Sequence, residues 1–543
     1  MENSKKWRLT ELLVFSIFTI VNMAPFVATR FFPSMDGASH LSNSNIINQL
    51  FFHNNSLFHQ FFMINPEPVP NWTSHLLISL FTLVMPAFLA EKFLIIILLI
   101  GTPFAFRNLL QTVSPKNTLY SFLIFPFTHS MFFFFGFFNF CMAILLFLIT
   151  VNYWVRHEHR ALSLQHVLTL SVLVALTYFS HIMIFGTLLI LIAMHIITGS
   201  VITLICKKNN LKSIFTQFLA KTLAITLAAI LPLMLFGYFF YSRPDIREIK
   251  FLDQNELISI LLSLRPLISL NPAIEGKITV ILIYLIVALC FAGIVSFIIR
   301  VTRKYNIKGS RELTTEEQVL PRFNFWWLLA SMVVLLTLFF SLPDAYGTAS
   351  YTNLRIAFVF FIVVILWISV FRIPWYFGLI AAVTGLYVNT MLIRYYTPGI
   401  RDLGELAATC NKAADFVSPN SLVLPIYCMD NWFTGHFVDY IAVDKPIVMV
   451  YNYECESGYF PVKWNTAMKP NYFMGNPSVS DKYINFELTK EKPSLPLDYV
   501  FIVGHYDPEK DWFFSTLHKI LTEYFIMVYE AENCSLYRNK LSK

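Results

Sequence analysis

The residues best suited to chemistry lie in a polar segment near the N-terminus, directly after a long apolar stretch. The segment reads PSMDGASH over residues 33–40, and Asp36 is the only acid between Glu11 and Glu67. A carboxylate that stands alone at the edge of an apolar stretch, partly desolvated, can accept a proton from a hydroxyl group. Asp36 is therefore a candidate general base.

A second catalytic candidate follows from helical spacing. If residues 36–50 form a helix, His40 lies one turn beyond Asp36 on the same face. The alternative role for Asp36 is structural, because aspartate is a favoured N-cap residue and would begin this helix. The two roles of Asp36 do not exclude each other.

The same polar segment ends in a proline-rich stretch. Residues 65–75 read NPEPVPNWTSH, and the three prolines fix an extended path. Asn71 and His75 then flank the start of the next apolar run. We expect these two residues to support the loop or an acceptor molecule.

The best candidate for binding an anion is Arg355, at the predicted outer start of the apolar run 353–371. Arginine inside a spanning segment is costly and tends to mark a site, and its planar fork suits a phosphate. The alternative is that it snorkels to the membrane surface. Arg265, with Arg243 and Arg247, could add to an anion site, although an amphipathic loop on anionic lipid explains them equally well.

Two histidines are further candidates for contacting a donor phosphate. His129 and His181 each fall at the predicted external end of a helix pair, where the alternative is a hydrogen-bonded structural histidine. The sequence has no Gly-rich phosphate loop, no HExxH motif and no GxSxG motif. We therefore expect no cofactor and assign no metal ligand, since the sequence gives a divalent ion no support.

Composition decides which class of protein carries these residues. The chain has 543 residues, of which 56% are hydrophobic and 13% charged, and its mean hydropathy is +0.59. Ordinary soluble domains carry about 25% charged residues, so a soluble protein of this size is excluded. The net charge of +7 lies in short clusters between apolar runs, a pattern that sets membrane orientation and does not indicate nucleic acid.

These basic clusters predict how the chain is threaded through the membrane. The first cluster, Lys5, Lys6 and Arg8, precedes the first apolar stretch. Later clusters lie at 156–160, 207–208 and 300–322. The positive-inside rule places all of them, and the N-terminus, in the cytoplasm. Residues 1–394 then hold about eleven spanning helices, with external loops at 33–72 and 242–276. This count requires the run 118–128, interrupted by Pro126, to be a short or re-entrant piece.

A second domain is predicted at residues 395–543, where charges, Pro and Gly return and no run is long enough to span. Short apolar stretches alternate there with helical spacing, which is typical of an external α/β domain. The predicted strands lie at 422–427, 447–451, 499–504, 525–530 and 534–538. Four cysteines, Cys410, Cys428, Cys455 and Cys534, permit disulfides, and reduced buried thiols are the alternative.

Together these features resemble the GT-C-fold, polyprenyl-phosphate-dependent membrane glycosyltransferases. The resemblance rests on the architecture, on Asp36 at the opening of the first external loop and on Arg355 at a later external helix start. It implies transfer of a sugar from a polyprenyl phosphate to a glycan, lipid or protein acceptor. It maps the family's general base onto Asp36 and its phosphate-binding arginine onto Arg355. The second acid that the family often carries in a later external loop is missing from the expected place, where His129 and Ser130 stand.

The proposed chemistry and the composition give two further expectations. A single base with one cation predicts inversion at the anomeric carbon. A composition rich in Phe, Asn and Lys resembles that of bacteria with AT-rich genomes, which predicts a bacterial inner membrane.

Two other functions are alternatives to sugar transfer. One alternative is a flippase or transporter of lipid-linked saccharides, although these generally show repeated halves and charges at mid-membrane. The other alternative is a polymerase or ligase of surface polysaccharide.

Overall fold

The computed structural model describes residues 2–206, 211–242, 249–306, 315–346, 350–465, 497–510 and 512–542. Within these ranges, nine helices are long and apolar enough to cross a membrane. They are α1 (Glu2–Ala28), α5 (Ala87–Val113), α8 (Phe138–His157), α10 (Ile182–Cys206), α11 (Leu211–Tyr241), α13 (Pro272–Asn306), α14 (Thr315–Ser341), α15 (Thr352–Val370) and α16 (Trp375–Lys412). The chain is therefore a multi-pass α-helical membrane protein, as its composition predicts.

The remaining α-helices are shorter, with at most 17 residues. They are α2 (Gly37–Phe51), α3 (Ser56–Phe61), α4 (Thr73–Thr82), α6 (Phe125–Thr128), α7 (Met131–Phe134), α9 (Leu164–Ser180), α12 (Gln254–Leu262), α17 (Tyr453–Ser457) and α18 (Trp512–Tyr524). Short 3₁₀ helices connect several of them.

The number of spanning helices among the described residues is lower than the eleven expected. The apolar run 73–90 is not one crossing, because it divides into the ten-residue helix α4 and the start of α5. Pro86 stands between them, and proline begins a helix more readily than it continues one. Helix α9, with 17 residues, is at the lower end of the length that spans a bilayer, about 17–25 residues.

The interrupted segment expected around Pro126 is present. Thr118–Ile124 forms a 3₁₀ helix, and the four-residue helices α6 and α7 follow it. These pieces are buried, and 3₁₀ runs of this length are uncommon. Irregular backbone of this kind is tolerated at membrane depth only where protein or a water-filled cavity shields it.

One buried ion pair connects two of the spanning helices. Arg107 on α5 donates from Nε to Glu11 Oε1 on α1 at 3.1 Å, and its Nη2 reaches the second carboxylate oxygen. Both side chains are buried. Because an unpaired charge in this position would be costly, the pair joins the two helices.

Contacts divide the chain into two compact units. The first holds Met1–Met23, Ile97–Phe133 and Phe140–Tyr395, and the second holds Ala24–Ile96, Phe134–Asn139 and Tyr396–Lys543. The domain boundary predicted after residue 394 lies one residue from the last of these divisions. The second unit also includes the polar segment that follows α1.

The second unit contains the α/β fold expected from the sequence. Its strands are β4 (Ser421–Tyr427), β5 (Ile447–Met449), β7 (Tyr499–Val503), β8 (Phe525–Ala531) and β9 (Cys534–Asn539), which form one sheet in the order β5-β4-β7-β9-β8. Strand β4 runs parallel to β5 and β7, whereas β9 is antiparallel to β7 and β8. The continuous apolar run of β4 is buried, as is usual for a central strand.

Two-residue and three-residue strands complete the described elements. Within the second unit, β1 (Phe62–Ile64) pairs antiparallel with β6 (Val462–Trp464). Within the first unit, β2 (Ile249–Lys250) pairs antiparallel with β3 (Ala345–Tyr346). The four cysteines of the C-terminal domain are thiols, and those of Cys410 and Cys534 lie side by side.

Candidate active site

Helix α2 carries the first polar segment and is itself buried from Gly37 to Leu50. Its amide side chains are satisfied by the protein, as buried polar groups require. Asn45 Nδ2 donates to the Ala442 carbonyl at 2.9 Å, and Asn48 Nδ2 donates to the Ser79 carbonyl at 3.0 Å. Asn43 exchanges hydrogen bonds with Asn452, the closer at 3.0 Å. These bonds fix the position of α2 in the second unit.

Asp36 stands at the N-cap position of α2, which is the place that the structural alternative predicts. Its side chain nevertheless makes no capping hydrogen bond. The local backbone is held instead by pairing with another segment, because Met35 N–H donates to the Phe134 carbonyl at 3.2 Å and Asp36 N–H to the Phe135 carbonyl at 3.1 Å. The carboxylate of Asp36 is therefore not committed to starting the helix.

Two glycines allow this close approach of backbones. Gly136 has φ of +75°, and a Cβ placed there would lie 2.8 Å from Gly37 N and 3.0 Å from Asp36 N. A Cβ at Gly37 would collide with Ser34 Oγ at 2.2 Å. Gly136 thus requires glycine for conformation as well as for space, whereas a side chain at Gly37 would require the Ser34 hydroxyl to move.

Gly136→Ala is expected to lower the stability of the protein by about 1–3 kcal/mol, because it adds backbone strain and a clash beside Asp36. Thermal unfolding of the purified protein in detergent measures this loss. Gly186→Ala is the matched control, since a Cβ there meets nothing within 4 Å and alanine is the better helix former by about 1 kcal/mol. Equal midpoints for the two variants would contradict the packing described at Gly136.

The surroundings of Asp36 make its carboxyl group suitable for exchanging a proton. Its Oδ1 lies 3.7 Å from His436 Nε2. Burial raises the pKa of Asp36 to about 7, and the charge of Glu454 adds to the rise, whereas His40 and the Tyr453 hydroxyl oppose it. A base with a pKa near neutrality is close to the optimum for proton transfer at physiological pH.

Acids and a histidine from the C-terminal part of the chain complete the surroundings of α2. Ser39 Oγ donates to Asp439 Oδ2, and burial raises the pKa of Asp439 to about 7. The ring of His436 lies 4.4 Å from that of Tyr453, and burial lowers the pKa of His436 to about 4. Sequence reasoning missed these residues, because nothing in the sequence connects them to positions 400 residues earlier.

A second buried acid, Glu91, was also missed by the sequence analysis. Glu91 Oε2 accepts from Phe32 N–H at 2.8 Å, and its Oε1 would lie 3.3 Å from a Cβ at Gly37. The sequence did contain a signal. Glu91 is the only acid between Glu67 and Glu158, and a lone acid in a long apolar run tends to be functional.

His40 and His75 meet at the carboxylate of Glu454 within the second unit. His40 Nδ1 lies 2.8 Å from Glu454 Oε1, His75 Nε2 lies 2.8 Å from Glu454 Oε2, and the two ring nitrogens are 3.0 Å apart. All three side chains are buried. Burial alone would raise the pKa of Glu454, but the two histidines outweigh it and lower that pKa to about 2.

Asn71 and Asn139 orient His75. His75 Nδ1 lies 3.1 Å from the Asn71 carbonyl and 3.2 Å from Asn139 Nδ2. Asn139 Nδ2 donates to the same carbonyl at 3.0 Å, and Asn139 Oδ1 accepts from Ser74 N–H at 2.8 Å. Asn71, expected to support the loop or an acceptor, thus acts on His75 through its backbone.

Arg355 lies in the first unit, in the first turn of α15. Its Nη1 donates to the Ser350 carbonyl, and its guanidinium carbon lies 6.0 Å from the ring centroids of Phe132 and Phe140. The ring of His181 lies 5.4 Å from that of Phe140. The structure therefore brings Arg355 and His181 to the same aromatic ring.

The other cation candidates take part in contacts within the first unit. His129 Nδ1 lies 3.1 Å from Asn389 Oδ1, and Asn389 Nδ2 donates to Asn22 Oδ1 at 2.6 Å. Arg265 Nη1 donates to the Ile268 carbonyl. Arg243 and Arg247 lie outside the described residues.

Comparison with known proteins gives structural likenesses only. No protein-family model matches the sequence, and no curated protein sequence is similar to it. The crystal structure of ArnT from Cupriavidus metallidurans bound to undecaprenyl phosphate aligns with a TM-score of 0.45 at 10% identity, over 99% of this chain and 98% of that one. The Archaeoglobus fulgidus oligosaccharyltransferase in complex with Zn and sulfate aligns with a TM-score of 0.42 at 12% identity, over 97% of this chain and 73% of that one.

Proposed function

We propose that this chain is a membrane glycosyltransferase that moves a sugar from a polyprenyl-phosphate donor to an extracytoplasmic acceptor. One observation carries the proposal: Asp36 is buried at the start of a fixed helix, has a pKa near 7 and makes no capping bond. The pKa of this carboxyl group suits proton transfer, and its side chain does not stabilise the start of helix α2 by a capping hydrogen bond. The proposal agrees with the family resemblance of the sequence.

The proposed reaction is a single displacement. An acceptor hydroxyl gives its proton to a carboxylate oxygen of Asp36 while its oxygen forms a bond to the anomeric carbon of the sugar. The bond between that carbon and the donor phosphate breaks, and the phosphate keeps the electron pair. Attack from the face opposite to the leaving phosphate inverts the configuration. Asp36 then loses its proton to solvent before the next turnover.

The donor phosphate is assigned to Arg355. A lipid phosphate is held at a membrane surface by its chain, so a binding arginine belongs at the end of a spanning helix, as Arg355 does on α15. The guanidinium offers several donors in one plane and stays charged when desolvated. It would stabilise the charge that develops on the leaving phosphate. His181, beside the same Phe140 ring, is proposed as a second donor to it.

We propose that the chain lies in a bacterial inner membrane with its N-terminus in the cytoplasm and its C-terminal domain outside. Right-side-out and inverted vesicles, each given a short-chain polyprenyl phosphate with a labelled sugar, test this and the reaction together. Label is expected to leave the lipid and appear on the acceptor only in right-side-out vesicles. A flippase would move intact labelled lipid across the bilayer, and that result would contradict the proposal.

A further inference from the structure

We infer that His40, His75 and Glu454 form a binding site for a divalent cation, with Zn²⁺ as the ion that fits best. The binding itself does not depend on the proposed sugar transfer. Only the use of the ion in the reaction rests on that function.

The possible ligand atoms of the three side chains lie within 4.8 Å of one another. His40 Nδ1 is 2.8 Å from Glu454 Oε1, His75 Nε2 is 2.8 Å from Glu454 Oε2, and the two ring nitrogens are 3.0 Å apart. Zinc binds histidine nitrogen and carboxylate oxygen at about 2.0–2.1 Å, and a tetrahedral shell places neighbouring ligand atoms about 3.3 Å apart. Small shifts of the three side chains would therefore bring one atom of each to a zinc ion.

The surroundings of His75 suit a metal ligand. Its Nδ1 faces the Asn71 carbonyl, and its Nε2 is the nitrogen that faces Glu454 and His40. Metal-binding histidines usually donate their other N–H to a carbonyl or carboxylate, which fixes the ring for the metal. Asn71 and Asn139 supply this outer support.

The charge of the surroundings also favours a cation. Asp36, Asp439 and Glu454 are buried, and among the described residues the cationic side chains within ion-pair distance of Asp36 and Glu454 are histidines, not Lys or Arg. A divalent ion would offset the negative charge of the Glu454 carboxylate. Two histidines and one glutamate leave coordination positions open, so that water or an acceptor oxygen could complete the shell.

The alternative is a purely hydrogen-bonded cluster, in which both histidine rings donate N–H groups to Glu454 and no metal binds. Zinc binding to the purified full-length protein separates the two cases. The protein, purified without a polyhistidine tag, is stripped with a chelator and titrated with ZnCl₂, and bound metal is measured by calorimetry and by mass spectrometry. We expect about one zinc ion per chain, as for a site with one set of three protein ligands.

The variants define the ligands. Glu454→Gln and His75→Ala are expected to weaken zinc binding by more than about 100-fold, and Asn139→Ala by about 10–100-fold, in line with the usual effect of a supporting residue. His53→Ala is the matched control, because His53 is exposed on the same unit and should leave binding unchanged. Substoichiometric binding by the wild type, or binding equal to it in Glu454→Gln, would overturn the inference.

A spectroscopic measurement on the wild type covers the case in which a variant fails to fold. Co²⁺ added to the stripped protein is expected to give the intense visible absorption of a four- or five-coordinate site, displaced by one equivalent of Zn²⁺. A wild-type spectrum identical to that of Co²⁺ in buffer would overturn the inference. If zinc binds stoichiometrically and sugar transfer is absent, the metal site stands and the proposed function fails.

Discussion

Asp36→Asn is expected to lower the rate of sugar transfer by about 10²-fold or more while the protein still folds and binds its donor. Asparagine has the size of aspartate and is an equally good N-cap residue, but it cannot take a proton. The structure strengthens this test, because the Asp36 side chain makes no capping bond that the change could remove. The measurement is the initial rate of label transfer from a defined donor at saturating acceptor.

The matched control for Asp36 is Asp402→Asn. Asp402 is exposed on α16, so this change also removes one carboxylate but should leave the rate of transfer unchanged. The thermal midpoints of both variants are compared with that of the wild type. Full transfer by Asp36→Asn would exclude the base assignment, and unfolding of this variant alone would return Asp36 to a structural role.

Substitution of Arg355 is the second change with a large expected effect. Arg355→Lys keeps the charge but loses the planar fork, so we expect donor binding to weaken about tenfold. Arg355→Ala loses both and is expected to weaken it about 100-fold, since hydrogen bonds to charged groups are each worth about 1.5–3 kcal/mol. The measurement is the dissociation constant of polyprenyl phosphate in detergent or nanodiscs.

A control on a surface arginine separates this effect from a general loss of charge. Arg401 is exposed and pairs only weakly with Glu405 at 3.3 Å, so Arg401→Ala should bind the lipid as the wild type does. If both Arg355 variants keep the wild-type affinity, the phosphate is bound elsewhere. A graded loss from lysine to alanine is the result expected for a bidentate contact.

Much of the architecture could be predicted from the sequence because it depends on local patterns. Apolar runs of about twenty residues predicted the spanning helices, and the strand at 422–427 was visible as a short apolar run between turn residues. The run 73–90 was misjudged because Pro86 divides it, so the apolar length alone overstated the number of crossings.

Only some residues of the candidate active site around helix α2 could be predicted from the sequence. Asp36 and His40 could be paired because helical spacing places them one turn apart, and the structure has that helix. Glu454, His436 and Asp439 reach α2 from about 400 residues away through the fold of the second unit. No local pattern records such a contact, whereas Glu91 could have been noticed as a lone acid.

The most direct measurement for the central claim uses the purified wild-type chain in nanodiscs with a chemically defined polyprenyl-phosphate sugar. Loss of sugar from the lipid and the anomeric configuration of the product are followed by mass spectrometry and NMR. We expect the sugar to leave the phosphate and the product to carry the inverted configuration. Donor that stays intact with every acceptor class (glycan, lipid and protein) would contradict the claim that this protein transfers sugar.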